Sequence, residues 1–436
     1  MIEFLLSTFY FIAFCFLISK LSFFKDSKIP KYWFIIIFGV KIGVSVLLTL
    51  IYTKYYNNRA TADIFKYFDD SKVMFSALKS NPLDYFKMLL GIDFNYNYYQ
   101  VNYYQFMNHW NRPYSSDLIS DSHIIIRFNA FVRLFSFGFF QVHHIFINFV
   151  SLIGLTLIYK AFKLYLLDKE KLLFYVVFLV PSVLFWGSGL LKEGIILFAF
   201  GLFFYYLFKL TNQLKTSYLL LFFFAIILLI FTKFYLLIAL SIPSLGYLIN
   251  YYRRLKNPLF GYLIAGLIFL ITINVAPLIN EQLDVVFQIA NKQQTFSRFI
   301  AEVPANSGFV IPELSDGWSL IIYSPQALLN TMIRPYFWEC NSLFVWLSAF
   351  ENVFIIGCFI LVFYYRKKIN NSHKNIIYFN LTFVFSLFVL IGLTTPVFGA
   401  IVRYKIPGLI LLLISLSILI DFGKMKTKLP FLKKLL

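Results

Sequence analysis

Residues 259–279 read LFGYLIAGLIFLITINVAPLI, twenty-one consecutive positions without Asp, Glu, Lys or Arg. A helix of that length covers about 30 Å, the thickness of the hydrocarbon core of a bilayer. Comparable apolar runs occupy 4–22, 33–53, 142–159, 172–190, 194–210, 218–232, 234–252, 342–365, 376–395 and 406–421. With 259–279 they predict an all-α polytopic membrane protein of about eleven transmembrane helices, 1–436 forming a single transmembrane domain.

Composition agrees with that class. Of 436 residues, 60% are hydrophobic and 14% charged, with mean hydropathy +0.75. Soluble domains carry about 45–50% apolar and about 25% charged residues, so an ordinary water-soluble enzyme is excluded. The 39 Lys+Arg against 20 Asp+Glu give +19, which in a soluble chain would suggest nucleic acid. Here the charge follows the membrane. Loops around 20–31, 160–171, 209–215, 253–256, 366–374 and 424–434 hold 22 Lys/Arg and four acids, whereas the opposite loops and span ends hold 16 and 14. Cytoplasmic loops retain Lys and Arg, so the N-terminus is expected outside and the C-terminus cytoplasmic, with no nucleic-acid partner. The first apolar segment lacks a basic n-region and a small-residue cleavage site, and reads as a retained span. Cys15, Cys340 and Cys358 have no CxxC spacing and suggest neither a disulfide framework nor a zinc site.

Two outward loops, 54–138 and 280–340, exceed what connection requires. In the first, 61–79 and 83–90 are predicted as helices. Thr61 can cap the first of them, and Ile64, Phe65, Phe68, Val73 and Phe75 give it an apolar side suited to lying at the membrane surface.

Four polar clusters can carry chemistry. In Ala62-Asp63-Ile64-Phe65-Lys66-Tyr67-Phe68-Asp69-Asp70-Ser71, helical spacing puts Asp63, Tyr67 and Asp70 on one face. A carboxylate held there can act as general base on an acceptor hydroxyl, or the face is simply solvated. In Pro181-Ser182-Val183-Leu184-Phe185-Trp186-Gly187-Ser188-Gly189-Leu190-Leu191-Lys192-Glu193-Gly194, Pro and Gly break the helix beside a charged pair, Lys192 and Glu193. Ionisable groups at membrane depth are functional candidates, against a tight hairpin capped by an ion pair. Arg334, followed by Pro335 and then Tyr336, Phe337, Trp338 and Glu339, can hold a phosphate bidentately. Tyr336 and Trp338 read better as belt residues. Glu351, inside a predicted span, needs a partner. Thr394 to Lys405 places Arg403 and Lys405 against the positive-inside pattern, where an anionic lipid headgroup or snorkelling would account for them. Arg127 and Arg133 close the first loop. His109, His123, His143 and His144 are not spaced like a metal pair. No GxGxxG, Walker A, HExxH or G-x-S-x-G motif occurs.

On these residues the chain resembles the GT-C superfamily of polytopic glycosyltransferases, which take sugars from polyprenyl-phosphate carriers on the outer side of the membrane. The resemblance covers about 33–235. It rests on an acidic residue early in a large first external loop with surface helices (Asp63, with Asp69-Asp70), an Arg leading into a span (Arg127 through Ile147), and Pro-Ser-x-x-Phe-x-x-Ser before a charged pair (Pro181 to Glu193). There is an additional span before the acidic loop and no Asp-x-Asp or Asp-Glu pair, which leaves metal use open. The pieces Arg334-Pro335 through Glu351-Asn352 and Phe398-Gly399 through Lys405 are similar to bacterial surface-glycan membrane proteins.

The resemblance implies a bacterial inner-membrane transferase moving a sugar from a polyprenyl-phosphate carrier to a glycan or lipid acceptor among membrane lipids. Asp63 would be the catalytic carboxylate, with Asp69 or Asp70 as substitutes. Lys192, Glu193, Arg334, Glu339, Glu351, Arg403, Lys405 and Arg127 would line the substrate and phosphate site. No cofactor is assigned, and a divalent cation is left open. Two other functions fit the same arrangement. A polysaccharide polymerase or ligase of the O-antigen type would use arginines such as Arg298, Arg334 and Arg403. A non-enzymatic flippase would favour paired broken helices, of which one, 181–194, is visible.

Overall fold

The computed structural model describes residues 1–55, 59, 62–111, 120–302 and 307–428. Among them every regular element is a helix. Eight helices are long and apolar enough to cross a membrane, and a ninth is made if one bent pair counts as a span. The chain is a multi-pass membrane protein.

Contacts group the chain into two compact units, Met1–Ala161 with Val183–Phe234, and Phe162–Ser182 with Tyr235–Leu436. In the first, α1 (Ile2–Lys20), α2 (Lys31–Leu50), α7 (Phe140–Phe162) and α10 (Lys192–Asn212) are predominantly apolar. Phe14 of α1 stacks on Phe149 of α7, and Phe11 on Phe38 of α2. Helices α7 and α10 touch backbone to backbone: a Cβ on Gly201 would stand 2.2 Å from the Gly154 carbonyl oxygen. Two glycines remove the side chains that would hold the helices apart, a device suited to membranes, where packing must replace the hydrophobic effect.

The first loop is a folded layer. It comprises α3 (Asp63–Ser80), α4 (Pro82–Leu90), α5 (Tyr96–Asn102) and α6 (His123–Ser136). The two predicted helices are present, and Thr61 lies outside the described residues. The apolar side of α3 is buried against protein: Ile64, Phe65, Tyr67 and Met74 join Tyr85, Trp110, Ile125 and Ile126 in one core. Arg133 of α6 crosses that core to the Ser71 hydroxyl at 2.7 Å and the Phe68 carbonyl at 2.6 Å. Burial lowers its pKa to about 10. Three tyrosine hydroxyls, from Tyr98, Tyr99 and Tyr103, donate to the Asp84 carboxylate and tie α5 to α4.

One expected span takes another form. Residues 172–190 divide into α8 (Glu170–Phe178) and α9 (Pro181–Trp186), followed by an irregular stretch to Leu191. The break survives because side chains answer its carbonyls. Lys41 donates to the Gly187 carbonyl at 2.7 Å and Ser151 to the same oxygen at 2.8 Å, while Asn148 donates to the Ser188 carbonyl at 2.9 Å. Residues 218–232 and 234–252 are, as expected, two helical arms, joined within α11 (Thr216–Arg253) by a kink at Lys233, whose φ −151° and ψ 85° are not helical.

The second unit contains α8, α12 (Leu259–Ile279), α13 (Val285–Glu302), α14 (Gly317–Ile333), α15 (Leu343–Tyr364), α16 (Asn371–Thr394), α17 (Phe398–Tyr404), α18 (Ile406–Leu419) and α19 (Phe422–Lys428). Helix α18 is buried along nearly its whole length and meets α17 in a 59° bend at Lys405. The second loop is largely helical: α14 lies close on α16, where a Cβ at Gly392 would meet the Ala327 carbonyl at 2.0 Å. Gln293 of α13 donates to the Pro312 and Leu393 carbonyls and accepts from the Leu314 N–H, which fastens the loop to the end of α16.

Candidate functional site

In the first unit two lysines stand where helices start or break. Lys192 is the first residue of α10, immediately after the irregular stretch. Lys233 is the kink residue of α11. Both ammonium groups reach Asp121: Lys192 Nζ lies 2.8 Å and Lys233 Nζ 2.7 Å from the same oxygen, Oδ2. All three side chains are between 6 and 8% exposed. Buried charges persist only when paired, and this group is a dry cationic pair around one carboxylate.

Asp121 is positioned from both sides. It lies two residues before α6, whose first residue, His123, stacks on Trp110 with ring centroids 3.7 Å apart and contacts the Trp110 carbonyl at 3.0 Å. Trp110 stacks in turn on Tyr104. From α3, the buried Tyr67 ring lies 5.7 Å from the Lys192 ammonium and 5.4 Å from His109. Tyr67 is one turn beyond Asp63, so helical spacing puts the two on the same side of α3. Asp63, half-buried, opens α3, where the helix N-terminus favours a carboxylate.

The other acids of that tract are engaged elsewhere. Asp69 forms a two-oxygen pair with Arg59 at the surface, at 2.8 and 3.0 Å. Asp70 is buried and accepts the backbone N–H groups of Asn108 at 2.7 Å and His109 at 2.8 Å. Both its oxygens fix the segment leading to Trp110, which makes Asp70 an anchor of the loop in place of a substitute base. Burial pushes the Asp70 carboxyl up to about 6, the two amide donors opposing it. A carboxyl raised above its ordinary value, about 3.9, holds its proton more tightly in the folded chain. Its stabilising contribution is complete below about pH 4 and is lost as pH rises through about 6. Thermal unfolding in detergent checks this: wild type minus Asp70→Asn should decline between pH 4 and 6, and a flat difference would remove Asp70 as the titrating group.

Arg127 is also structural. Its Nε donates to the Met88 carbonyl at 2.8 Å, its guanidinium lies 3.6 Å from Asp93 and covers Trp110, and it packs on Gly91, whose φ of +74° ends α4. Burial lowers its pKa. Glu193, buried in the first turn of α10, adjoins Lys192 in sequence.

Comparison with protein-family models, curated proteins and solved structures returns no match.

The remaining candidates belong to the second unit. Arg334 donates from Nε to Glu339 at 2.9 Å and lies over Phe309 and Phe398 at 4.2 and 5.2 Å, so both predicted residues are spent on one another. Glu351 has the partner it required: it accepts the Ser182 N–H at 3.0 Å and the Ser182 hydroxyl at the start of α9. Lys405, fully buried at the α17–α18 bend, donates to Asn352 Oδ1 at 2.7 Å. Arg403 is half-buried in the last turn of α17.

Two residues of the first-unit site were missed in sequence. Asp121 is one of several loop acids with no periodic signature. Lys233 counted only among the outer span ends, although a lone lysine between two strongly apolar runs is the signal expected of a functional intramembrane charge. Among the described residues no three His, Cys, Asp or Glu side chains converge to hold a metal.

Proposed function

We propose that the chain is a membrane glycosyltransferase that moves a sugar from a polyprenyl-phosphate carrier to a glycan or lipid acceptor at the outer side of the bacterial cytoplasmic membrane, similar in plan to GT-C enzymes. One observation carries the reading: two lysines of the membrane helices converge on one point in a buried site, and Tyr67 of α3, one turn beyond Asp63, lies 5.7 Å from the Lys192 ammonium.

The chemistry follows from that pairing. The acceptor hydroxyl oxygen forms a bond to the anomeric carbon as the carbon–oxygen bond to the carrier phosphate breaks. The bonding pair leaves on the phosphate oxygen, and the hydroxyl proton passes to the Asp63 carboxylate. The phosphodiester monoanion becomes a monoester dianion, and fixed cations stabilise the charge as it develops. A water-poor site makes each ammonium worth more than it would be in water.

A strain lacking the chain tests this by lipid analysis. Loss of the protein should accumulate polyprenyl-monophosphate sugar, and complementation with Asp63→Asn should leave that accumulation in place at normal protein level. Single repeat units on a diphosphate carrier would indicate a polymerase instead. A lipid-linked glycan transporter is the second reading, favoured by the bent α17–α18 pair with Lys405 buried at its break. It predicts full function in Asp63→Asn.

A further inference from the structure

The second unit holds a buried cation that the proposed transfer does not use, Lys405. It stands at the 59° joint of α17 and α18, 1% exposed, and its ammonium donates to Asn352 Oδ1 at 2.7 Å. Asn352 lies nine residues beyond Leu343, the first residue of α15, about 14 Å along the helix axis. Among the described residues that amide oxygen is the only hydrogen-bond acceptor of an ammonium with three N–H donors. The amide itself is half satisfied. A lysine only donates, so the amide oxygen must face it, and Asn352 Nδ2 is left buried with no hydrogen-bond partner among the described residues. The bond lengths of an amide put this nitrogen within about 5.3 Å of the ammonium.

The carboxylate that acts electrostatically on Lys405 is Glu351. It spends both oxygens on Ser182, one on the N–H at 3.0 Å and one on the hydroxyl. Spare donors on a cation and on the adjacent amide suit an acceptor that donates nothing, which is an anion. The charges of Lys405 and Glu351 already cancel, so the place suits one negative charge and resists two.

We propose that Lys405 and Asn352 form an anion site in the second unit, taking a singly charged oxyanion group, a phosphodiester or a carboxylate. The site is separate from the Lys192–Lys233 pair and does not depend on the transfer assigned to that pair. The oxygens of the anion accept from the two N–H groups left on Lys405 and from Asn352 Nδ2. Access is through the bend: α17 is only seven residues long, and a swing about its joint with α18 uncovers Lys405 while α18 stays packed.

The test titrates the full chain in dodecyl maltoside at pH 8 with didecyl phosphate, decanoate and decyl phosphate. Each probe is read as the difference between wild type and Asn352→Asp, in which a built-in carboxylate occupies Lys405, so uptake elsewhere in the chain cancels. The two monoanions should bind wild type at least about ten-fold tighter than the variant, the loss expected for hydrogen bonds to a charged group. A difference for one monoanion alone keeps the site and names its group. Decyl phosphate, close to doubly charged at that pH, should show no difference until Glu351→Gln removes the opposing charge. Lys405→Met should lose binding as Asn352→Asp does. No difference for either monoanion overturns the proposal, as does wild-type binding in Lys405→Met. A difference for decyl phosphate as large as for the monoanions overturns the single-charge selectivity. Should Asn352→Asp not fold, Lys405→Met serves as the reference in its place.

Discussion

Lys233→Met should lower sugar transfer by about 10²–10³-fold with little change in the amount of protein in the membrane. The figure is that for removing one preorganised group from a site of developing negative charge. Methionine matches the stem of lysine and keeps the apolar contacts of the kink, and Asp121 retains Lys192 at 2.8 Å, so no buried carboxylate is stranded. Lys192→Met should behave alike, with Asp121 then held by Lys233. Removing both lysines is a different experiment, because taking the two cations from a buried carboxylate costs about 3–5 kcal/mol and mixes a loss of stability with the loss of chemistry. Lys233→Arg restores charge but replaces a compact ammonium by a planar fork, and should recover only part of the activity. Lys209→Met, an exposed lysine over Tyr205, should leave transfer as it is. The assay is turnover of the lipid-linked sugar that accumulates in the deletion strain, incubated with membranes carrying each variant. Wild-type turnover in both single variants would remove the two lysines from the mechanism.

The second large effect is structural. Gly201→Leu should abolish recovery of folded protein. The first atom of any side chain there would lie 2.2 Å from the Gly154 carbonyl oxygen, and backbone has nowhere to yield. Helices α7 and α10 would have to separate, a cost above the about 1–3 kcal/mol usual for overpacked cores. The same displacement would move Lys192 at the head of α10. Gly154→Leu should do the same, its Cβ meeting the Leu197 carbonyl at 2.4 Å. Gly43→Ala is the control, since nothing lies within 4 Å of its added Cβ, and the exchange favours the helix by about 1 kcal/mol. Detergent size-exclusion profiles distinguish the cases: a monodisperse Gly201→Leu protein of normal thermal stability would contradict the close crossing.

Most helices could be read in the sequence because apolar length is a local property. Residues 259–279 match α12 end to end, and 61–79 and 83–90 lie within two residues of α3 and α4. Where apolar length failed, it failed for a reason. Residues 172–190 are apolar enough to span, yet composition reports the surroundings of a segment and not its backbone, and Gly187 and Ser188 could be irregular because Lys41, Ser151 and Asn148 supplied donors from far away in the chain. Lys233 parted two apolar runs in the sequence, and it is the single non-helical residue between the two arms of α11.

The site was legible in halves. Lys192 and the Asp63–Tyr67 face were visible from local rules, the first from a helix break beside a charge, the second from helical periodicity. Glu351 was marked as needing a partner, and Ser182 lay in a segment already singled out. Asp121 could not be found this way, since what distinguishes it from Asp69, Asp70 or Asp93 is which helices arrive beside it. Arg334 shows the converse: its chemistry suits phosphate, but Glu339, five residues on, already satisfies it.

The Gly187 carbonyl, shared between the Lys41 ammonium and the Ser151 hydroxyl, means that the register of the Lys192 ammonium is set from outside its own helix. The irregular stretch is a splint whose ties run to α2 and α7. Shortening one of them would retune the gap between the two cations without altering either lysine or Asp121. Variation at positions 41, 148 and 151 is thus a route by which the Lys192 ammonium could be shifted while Lys192, Lys233 and Asp121 stay the same.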